Sequence, residues 1–344
     1  MTNVPVAPRI DTSIIGRGAI SMTVHDARGA RRGSWRDLDA TDWADTTVVL
    51  GAGGATGLAF EAGVLLALST DHGLDPDAVP AYLGTSAGSL AASLLTAGCS
   101  PIELAALATE HPEHVSDLVR EHGIRFDHRS LPPMQWRDFV RLPNPALLWR
   151  GARLLARGRI GAALVHTLPD GRFDLRSLFE PLQVLDWPER AGRLRICATD
   201  VSDGSRVVID DAHGIRLVDA VAASCAVPAI MRPVRHGSAV YVDGGVVSPT
   251  SADLALGGDQ PSTVVVLSPM SGSSSRTWLG RVSAACSRMR LDAELRRVPR
   301  GQRVVVVEPR LRLSEAVVDD ALEADRVGEI VGSSFLAAGA GTAA

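Results

Sequence analysis

Gly84-Thr85-Ser86-Ala87-Gly88 lies between the apolar run Ala81-Tyr82-Leu83 and the helix-compatible run Leu90-Ala91-Ala92. A G-x-S-x-G segment joining a strand to a helix must bend sharply, and the positions two residues either side of the serine must be tiny. A Cβ there would collide with neighbouring backbone. Such a turn lifts the serine Oγ off the end of a sheet, and the helix behind it offers its positive N-terminal end to developing negative charge. The same five residues can also form a small-residue turn in which the serine merely caps a helix, so its neighbours decide.

Upstream, Thr46-Thr47-Val48-Val49-Leu50 reads as a short buried strand that stops at Gly51-Ala52-Gly53-Gly54-Ala55-Thr56-Gly57. Backbone without side chains can approach a ligand closely, and its N–H groups can converge on an anion. Two uses compete for this loop. One is a dinucleotide loop with pyrophosphate on the helix N-terminus, which also asks for an acidic residue about 20 positions on; Asp71, Asp75 and Asp77 are the candidates, in a loop before the next strand. The other is an oxyanion hole for a tetrahedral intermediate. Downstream, Tyr241-Val242-Asp243-Gly244-Gly245 presents a carboxylate at a strand end beside open backbone. An ordinary Asx turn has the same composition.

Further strand character appears at 194–198, 206–209, 239–242, 263–267 and 303–307, alternating with helical stretches such as 89–97. That alternation predicts an α/β fold with a mainly parallel sheet covered on both faces. Residues 1–45 are polar and irregular and read as an N-terminal arm, whose cluster Arg28, Arg31, Arg32 and Arg36 reads as a solvated charged face. The main domain is expected over 46–312, with a helical insertion at about 100–190 carrying Trp136, Phe139, Leu147, Leu148 and Trp149. Residues 314–336 read as one helix, within a 313–344 C-terminal segment that ends in a frayed Ala/Gly tail.

The composition limits the function classes. Hydrophobic residues make up 46% and charged residues 22%, and the net charge is −4, a balance that argues against a protein built to bind nucleic acid. Every basic residue is arginine. Cys99, Cys197, Cys225 and Cys286 are scattered without a C-x-x-C pair, which suits free buried thiols in a reducing compartment. There is no basic-then-apolar leader pattern and no apolar run of bilayer length, so a cytoplasmic protein with at most peripheral membrane contact is expected.

Taken in order, the glycine loop, the G-x-S-x-G segment and the late D-G-G resemble the patatin-like phospholipase family. Ala223-Ser224-Cys225-Ala226-Val227-Pro228 is similar to its A-S-x-A-x-P segment, and Ala198-Thr199-Asp200-Val201 with Gly204 to its A-T-D-x-x-x-G strand and turn. The resemblance covers about 47–310. It implies a three-layer α/β/α sandwich, a serine–aspartate dyad and a lipid or other carboxylic ester as substrate, with no cofactor or metal. In that reading Ser86 is the nucleophile, Asp243 the base, and Gly53, Gly54 and Ala55 the oxyanion loop, with Gly57, Gly84, Gly88, Gly244 and Gly245 supporting the motifs. The chain departs from the family pattern at Ala52 (usually glycine), Thr56 (usually Arg or Lys) and Ser248 (often Asn). A Ser-Asp-His triad would need a histidine late in the chain, and His236, after Asp200, Asp203, Asp210 or Asp219, is the one residue that could complete that order. A nucleotide-binding oxidoreductase and a catalytically silent scaffold are the alternatives outside hydrolysis.

The aromatic-rich 130–150 segment suggests an apolar acyl pocket. Esters of medium or long chains should therefore be preferred over acetate, gaining up to about 0.8 kcal/mol per buried methylene until the pocket is full. A nitrophenyl ester series from two to eight carbons reads this directly; a flat or falling kcat/KM would refute it.

Overall fold

The structure is a computed structural model that describes residues 20–26, 29–108, 171, 173–257, 261–272 and 278–309. Among the described residues, ten strands form one sheet. In chain order they are β1 (Ile20–Asp26), β2 (Gly29–Arg32), β3 (Thr46–Leu50), β4 (Ala81–Thr85), β5 (Leu194–Asp200), β6 (Arg206–Ile209), β7 (Val234–His236), β8 (Ala239–Asp243), β9 (Thr263–Leu267) and β10 (Arg303–Pro309). The helices are α1 (Gly54–Asp71), α2 (Ala87–Thr96), α3 (Pro101–Ala108), the single turn α4 (Leu175–Leu178), α5 (Leu217–Ser224) and α6 (Trp278–Glu294). The sheet order is β2-β1-β10-β9-β3-β4-β5-β8-β7, with β6 also paired to β5. The central strands β10, β9, β3, β4 and β5 run parallel, while β1, β2, β6, β7 and β8 add antiparallel pairs.

Both faces of the sheet are apolar, which is why the central strands read as unbroken hydrophobic runs. Val48, Leu50, Tyr82, Ile196, Val265, Leu267, Val305 and Val307 share one core with α1, α2, α3 and α5. The alternate residues Val49, Leu83, Cys197, Val264, Val266, Val304 and Val306 pack with Leu291, Leu295 and the turn at Ala252 and Ala255. The period-two split of side chains thus produces a three-layer α/β/α arrangement. Helix α1 is buried over most of its circumference, from Thr56 to Leu68, as a helix enclosed by neighbours must be.

The expectation of irregular structure in the 1–45 segment is corrected for its described residues, which begin at Ile20. Ile20, Met22 and Val24 face inward on β1 while Ser21, Thr23 and His25 face outward, and β1 pairs antiparallel with β10 from Ile20↔Pro309 to His25↔Val304. The alternation is a strand signal, but its partner lies at the far end of the chain. Arg31 in the adjoining β2 is exposed and pairs with Asp37 at 2.5 Å, while Arg28 falls outside the described residues. The aromatic residues 136–149 and the helix expected over 314–336 also fall outside them. The four cysteines are free, but Cys286 is exposed rather than buried and Cys225 is half-buried.

After β8 the chain turns through a loop that α6 holds in place. The Thr250 hydroxyl and the Ala252 N–H both donate to the buried Glu294 Oε2 at 2.9 Å, and Arg290 and Arg206 stand 3.4 and 3.8 Å from Oε1. In the same loop the Pro249 carbonyl accepts the Ala52 N–H at 2.7 Å, linking it to the glycine loop after β3. Glu294→Ala leaves two buried donors without an acceptor and should cost about 2 kcal/mol in urea unfolding. An unchanged midpoint would mean the loop is held without it.

Candidate active site

Ser86 is the first residue after β4 and the N-cap of α2, with φ 53 and ψ −122. A positive φ at a non-glycine residue stores about 1–3 kcal/mol of strain and persists only where its surroundings enforce it. The enforcement is steric. A Cβ on Gly84 would lie 2.5 Å from the Ser89 Cα, and one on Gly88 would lie 2.1 Å from the Leu50 carbonyl oxygen. The elbow is also pinned by hydrogen bonds. The Ser86 N–H donates to Ser224 Oγ at 2.8 Å, and the Ser89 N–H and hydroxyl donate to the Ser86 carbonyl at 2.8 and 2.6 Å.

Strand β5 registers the elbow against the second motif. Cys197 pairs with Thr85 at the end of β4, and the next residue, Ala198, pairs with Asp243 at the end of β8. The Ser86 hydroxyl donates to Asp243 Oδ2 at 2.8 Å, while the Gly245 N–H donates to Oδ1 at 2.7 Å. The Asp243 backbone is held as well: its N–H donates to the Ala226 carbonyl and its carbonyl accepts the Thr199 hydroxyl, each at 3.0 Å. Ser86 is 7% exposed and Asp243 is 5% exposed. Burial pushes the Asp243 carboxyl up to about 6, against the opposing pull of the Gly245 N–H and the Ser86 hydroxyl.

The glycine loop completes the cluster. Its Gly51 carbonyl accepts the Gly88 N–H at 3.1 Å, and Ala52 packs beside Gly245. The loop passes so close to its neighbours that a Cβ on Gly53 would lie 2.6 Å from the Gly57 Cα and 2.9 Å from the Pro269 Cβ. Gly54 adopts φ +62 and starts α1, so the amides of Gly54 and Ala55 lie in the first helical turn, at its positive end. Thr56, standing where the family usually has a cation, is buried and donates from Oγ1 to the Gly53 carbonyl at 3.3 Å.

The residues singled out in three separate stretches of sequence therefore converge at one end of the parallel strands. Asp71, Asp75 and Asp77 do not join them: they precede β4 and so stand at the opposite end of the strands from the glycine loop, where Asp77 pairs with Arg193 at 3.3 Å. His236 is exposed at the end of β7. Three further residues had no role assigned from sequence. Ser224 and Cys225 were visible only as part of A-S-x-A-x-P, and nothing local announces that Ser224 touches the elbow. Glu61, on α1, is fully buried, and burial holds its carboxyl well above the ordinary carboxylate range against the opposing pull of the Gly51 backbone.

The class is an α/β protein carrying a serine elbow and a buried aspartate. The family model for patatin-like phospholipases matches residues 48–256. The chain belongs to the patatin-like phospholipase family. No curated protein matches it. Among solved structures, VipD from Legionella pneumophila is 13% identical with a TM-score of 0.35, the match covering 79% of this chain and 56% of that one. The type III effector ExoU is 16% identical with a TM-score of 0.33, covering 86% and 52%. ExoU of Pseudomonas aeruginosa in complex with SpcU is 17% identical with a TM-score of 0.31, covering 84% and 52%. The chain thus spans about half the length of these proteins, and similarity this low carries no weight for activity.

The tightest contact in the site gives a sharp test. Gly88→Ala would place a methyl 2.1 Å from the Leu50 carbonyl oxygen and 2.3 Å from its carbonyl carbon, backbone that cannot swing aside. It should cost at least about 3 kcal/mol in chemical denaturation or prevent folding. A variant of normal stability would show that the elbow and β3 are not in contact.

Proposed function

We propose that this chain is a lipid acyl hydrolase that cleaves carboxylic esters through Ser86 and Asp243. The observation carrying the reading is the 2.8 Å hydrogen bond from Ser86 Oγ to Asp243 Oδ2. A serine hydroxyl is a weak nucleophile until a base takes its proton. A carboxylate with its affinity raised to about 6 is mostly ionised at neutral pH, yet is a stronger acceptor than an ordinary aspartate.

In this mechanism Ser86 Oγ attacks the ester carbonyl as its proton passes to Asp243 Oδ2. The resulting oxyanion is met by the amides of Gly53, Gly54 and Ala55, each such donor being worth about 3 to 4 kcal/mol of barrier. The Ser86 amide is already committed to Ser224, so the glycine loop and the start of α2 are left to supply the donors. Collapse breaks the bond to the leaving alcohol, which takes the proton from Asp243. Water then hands a proton to Asp243, attacks the acyl-serine and releases the acid, and Ser86 regains its proton.

The substrate is a lipid ester, reached by peripheral contact with membranes from the cytoplasm. No helix among the described residues is long and apolar enough to cross a membrane. We assign the catalytic domain to 46–312, with the 1–45 segment adding β1 and β2 to its sheet.

Ser86→Ala and Asp243→Asn should each abolish most turnover of an activated ester, and the double variant should be little worse than either, because the two act as a unit. His236→Ala should keep most activity. kcat/KM should fall as pH drops below about 6, where Asp243 takes up a proton. The same shift predicts a gain in stability for Asp243→Asn. A carboxyl that titrates near 3.8 unfolded and near 6 folded helps stability below the first value and loses that contribution as pH rises through the second. Asp243→Asn should thus be more stable than the parent at pH 8, by up to about 3 kcal/mol, and the difference should vanish below about pH 4. Normal hydrolysis by Asp243→Asn would end the proposal.

A further inference from the structure

We propose that Ser224 is a positioning residue for this reaction, the strut that fixes the strained serine elbow relative to the aspartate. The inference rests on the Ser86–Asp243 reading and adds the device that sets their separation.

The hydroxyl of Ser224 has one proton, and its neighbours fix where that proton points. The Cys197 carbonyl can only accept, so Ser224 Oγ donates to it, at 2.6 Å. The Ser86 N–H can only donate, so Ser224 Oγ accepts from it, at 2.8 Å. The residue is fully buried, as is Cys197. No other arrangement of the proton serves both partners, and the hydroxyl is a rigid link between the elbow and β5.

Two residues on, the same segment grips the other partner: the Ala226 carbonyl accepts the Asp243 N–H at 3.0 Å. The Cys197 carbonyl that receives the Ser224 proton also backs the residue after the aspartate, since a Cβ on Gly244 would lie 2.4 Å from it. Ser224, Cys225 and Ala226 therefore form a clamp holding the backbones of both Ser86 and Asp243. Without the hydroxyl, the Ser86 amide loses its acceptor at the residue whose φ is 53, and the elbow is free to relax away from Asp243 Oδ2. Small displacements of a nucleophile are costly in rate: about 1 Å can cost roughly a hundredfold.

The test compares Ser224→Ala with Ser224→Thr, which keeps the hydroxyl, and with Ser93→Ala, which removes another buried hydroxyl, one that bonds the Ser89 carbonyl at 2.7 Å. Ser224→Ala should lower kcat about 10- to 100-fold with KM changed less than about threefold. Ser224→Thr should recover most of the loss. The acid limb of kcat/KM should also move to higher pH in Ser224→Ala, because the Ser86 hydroxyl now helps keep Asp243 ionised. Cys225 is the titratable group beside Asp243, and burial holds its thiol up in the neutral form, so it does not contribute to that limb. Wild-type kcat in Ser224→Ala, a loss matched by Ser93→Ala, or an unmoved acid limb would each overturn the proposal. Should Ser224→Ala fail to fold, Ser224→Cys, with a weak acceptor of similar shape, takes its place under the same criteria. Ser86→Ala and Asp243→Asn run in parallel: normal turnover in either sinks the dyad itself, whereas their loss beside an unaffected Ser224→Ala sinks only the strut.

Discussion

A carboxylate that is 5% exposed must find hydrogen bonds inside the protein, because water no longer supplies them. The ends of β4, β5 and β8 are built around meeting that demand for Asp243. One oxygen takes the Gly245 amide and the other takes the Ser86 hydroxyl. The compensation is incomplete, which is why the carboxyl's proton affinity stays raised. A third strong donor would quiet the charge, but it would also occupy a lone pair that the present arrangement leaves open. The site keeps the aspartate partly unsatisfied, and the surrounding sheet supplies the stability to hold it there.

The same demand explains the crowding at the elbow. Serine and aspartate can meet only if three backbone segments approach more closely than side chains allow, and glycine stands at each contact. Gly88 lies against Leu50, Gly244 against Cys197, and Gly53 against Gly57 and Pro269. These positions were legible as motifs because the steric requirement writes itself into composition. The parallel strands were legible for a similar reason, since burial on both faces leaves continuous runs such as Thr263–Leu267 and Arg303–Val307.

What stayed illegible depended on partners distant in sequence. The alternation of Ile20, Met22 and Val24 means little until β10 is known to lie alongside, and a polar, arginine-rich neighbourhood disguised it. Ser224 closes the elbow from 138 positions away, and a serine within an alanine-rich segment carries no local sign of that contact. Helices α5 and α6 were likewise passed over between the more conspicuous strands. Thr56 shows the reverse case: as a sequence difference it drew notice for the charge it lacks, whereas in the fold its hydroxyl bonds the loop's own backbone.

The glycine loop also draws on residues beyond the stretch that matches the family. The match ends at residue 256, yet β9 and β10 lie in the middle of the sheet beyond it. Strand β9 pairs with β3, its Leu267 carbonyl accepts the Gly51 N–H at 3.0 Å, and Pro269 just after it packs against Gly53 and Gly57. A truncation drawn at the limits of sequence similarity would strip β3 of a neighbour and leave a long apolar edge, the kind of surface that recruits other chains into aggregates. The glycine loop would lose its floor in the same cut. Recombinant boundaries for this protein are therefore better set by the sheet than by the motif.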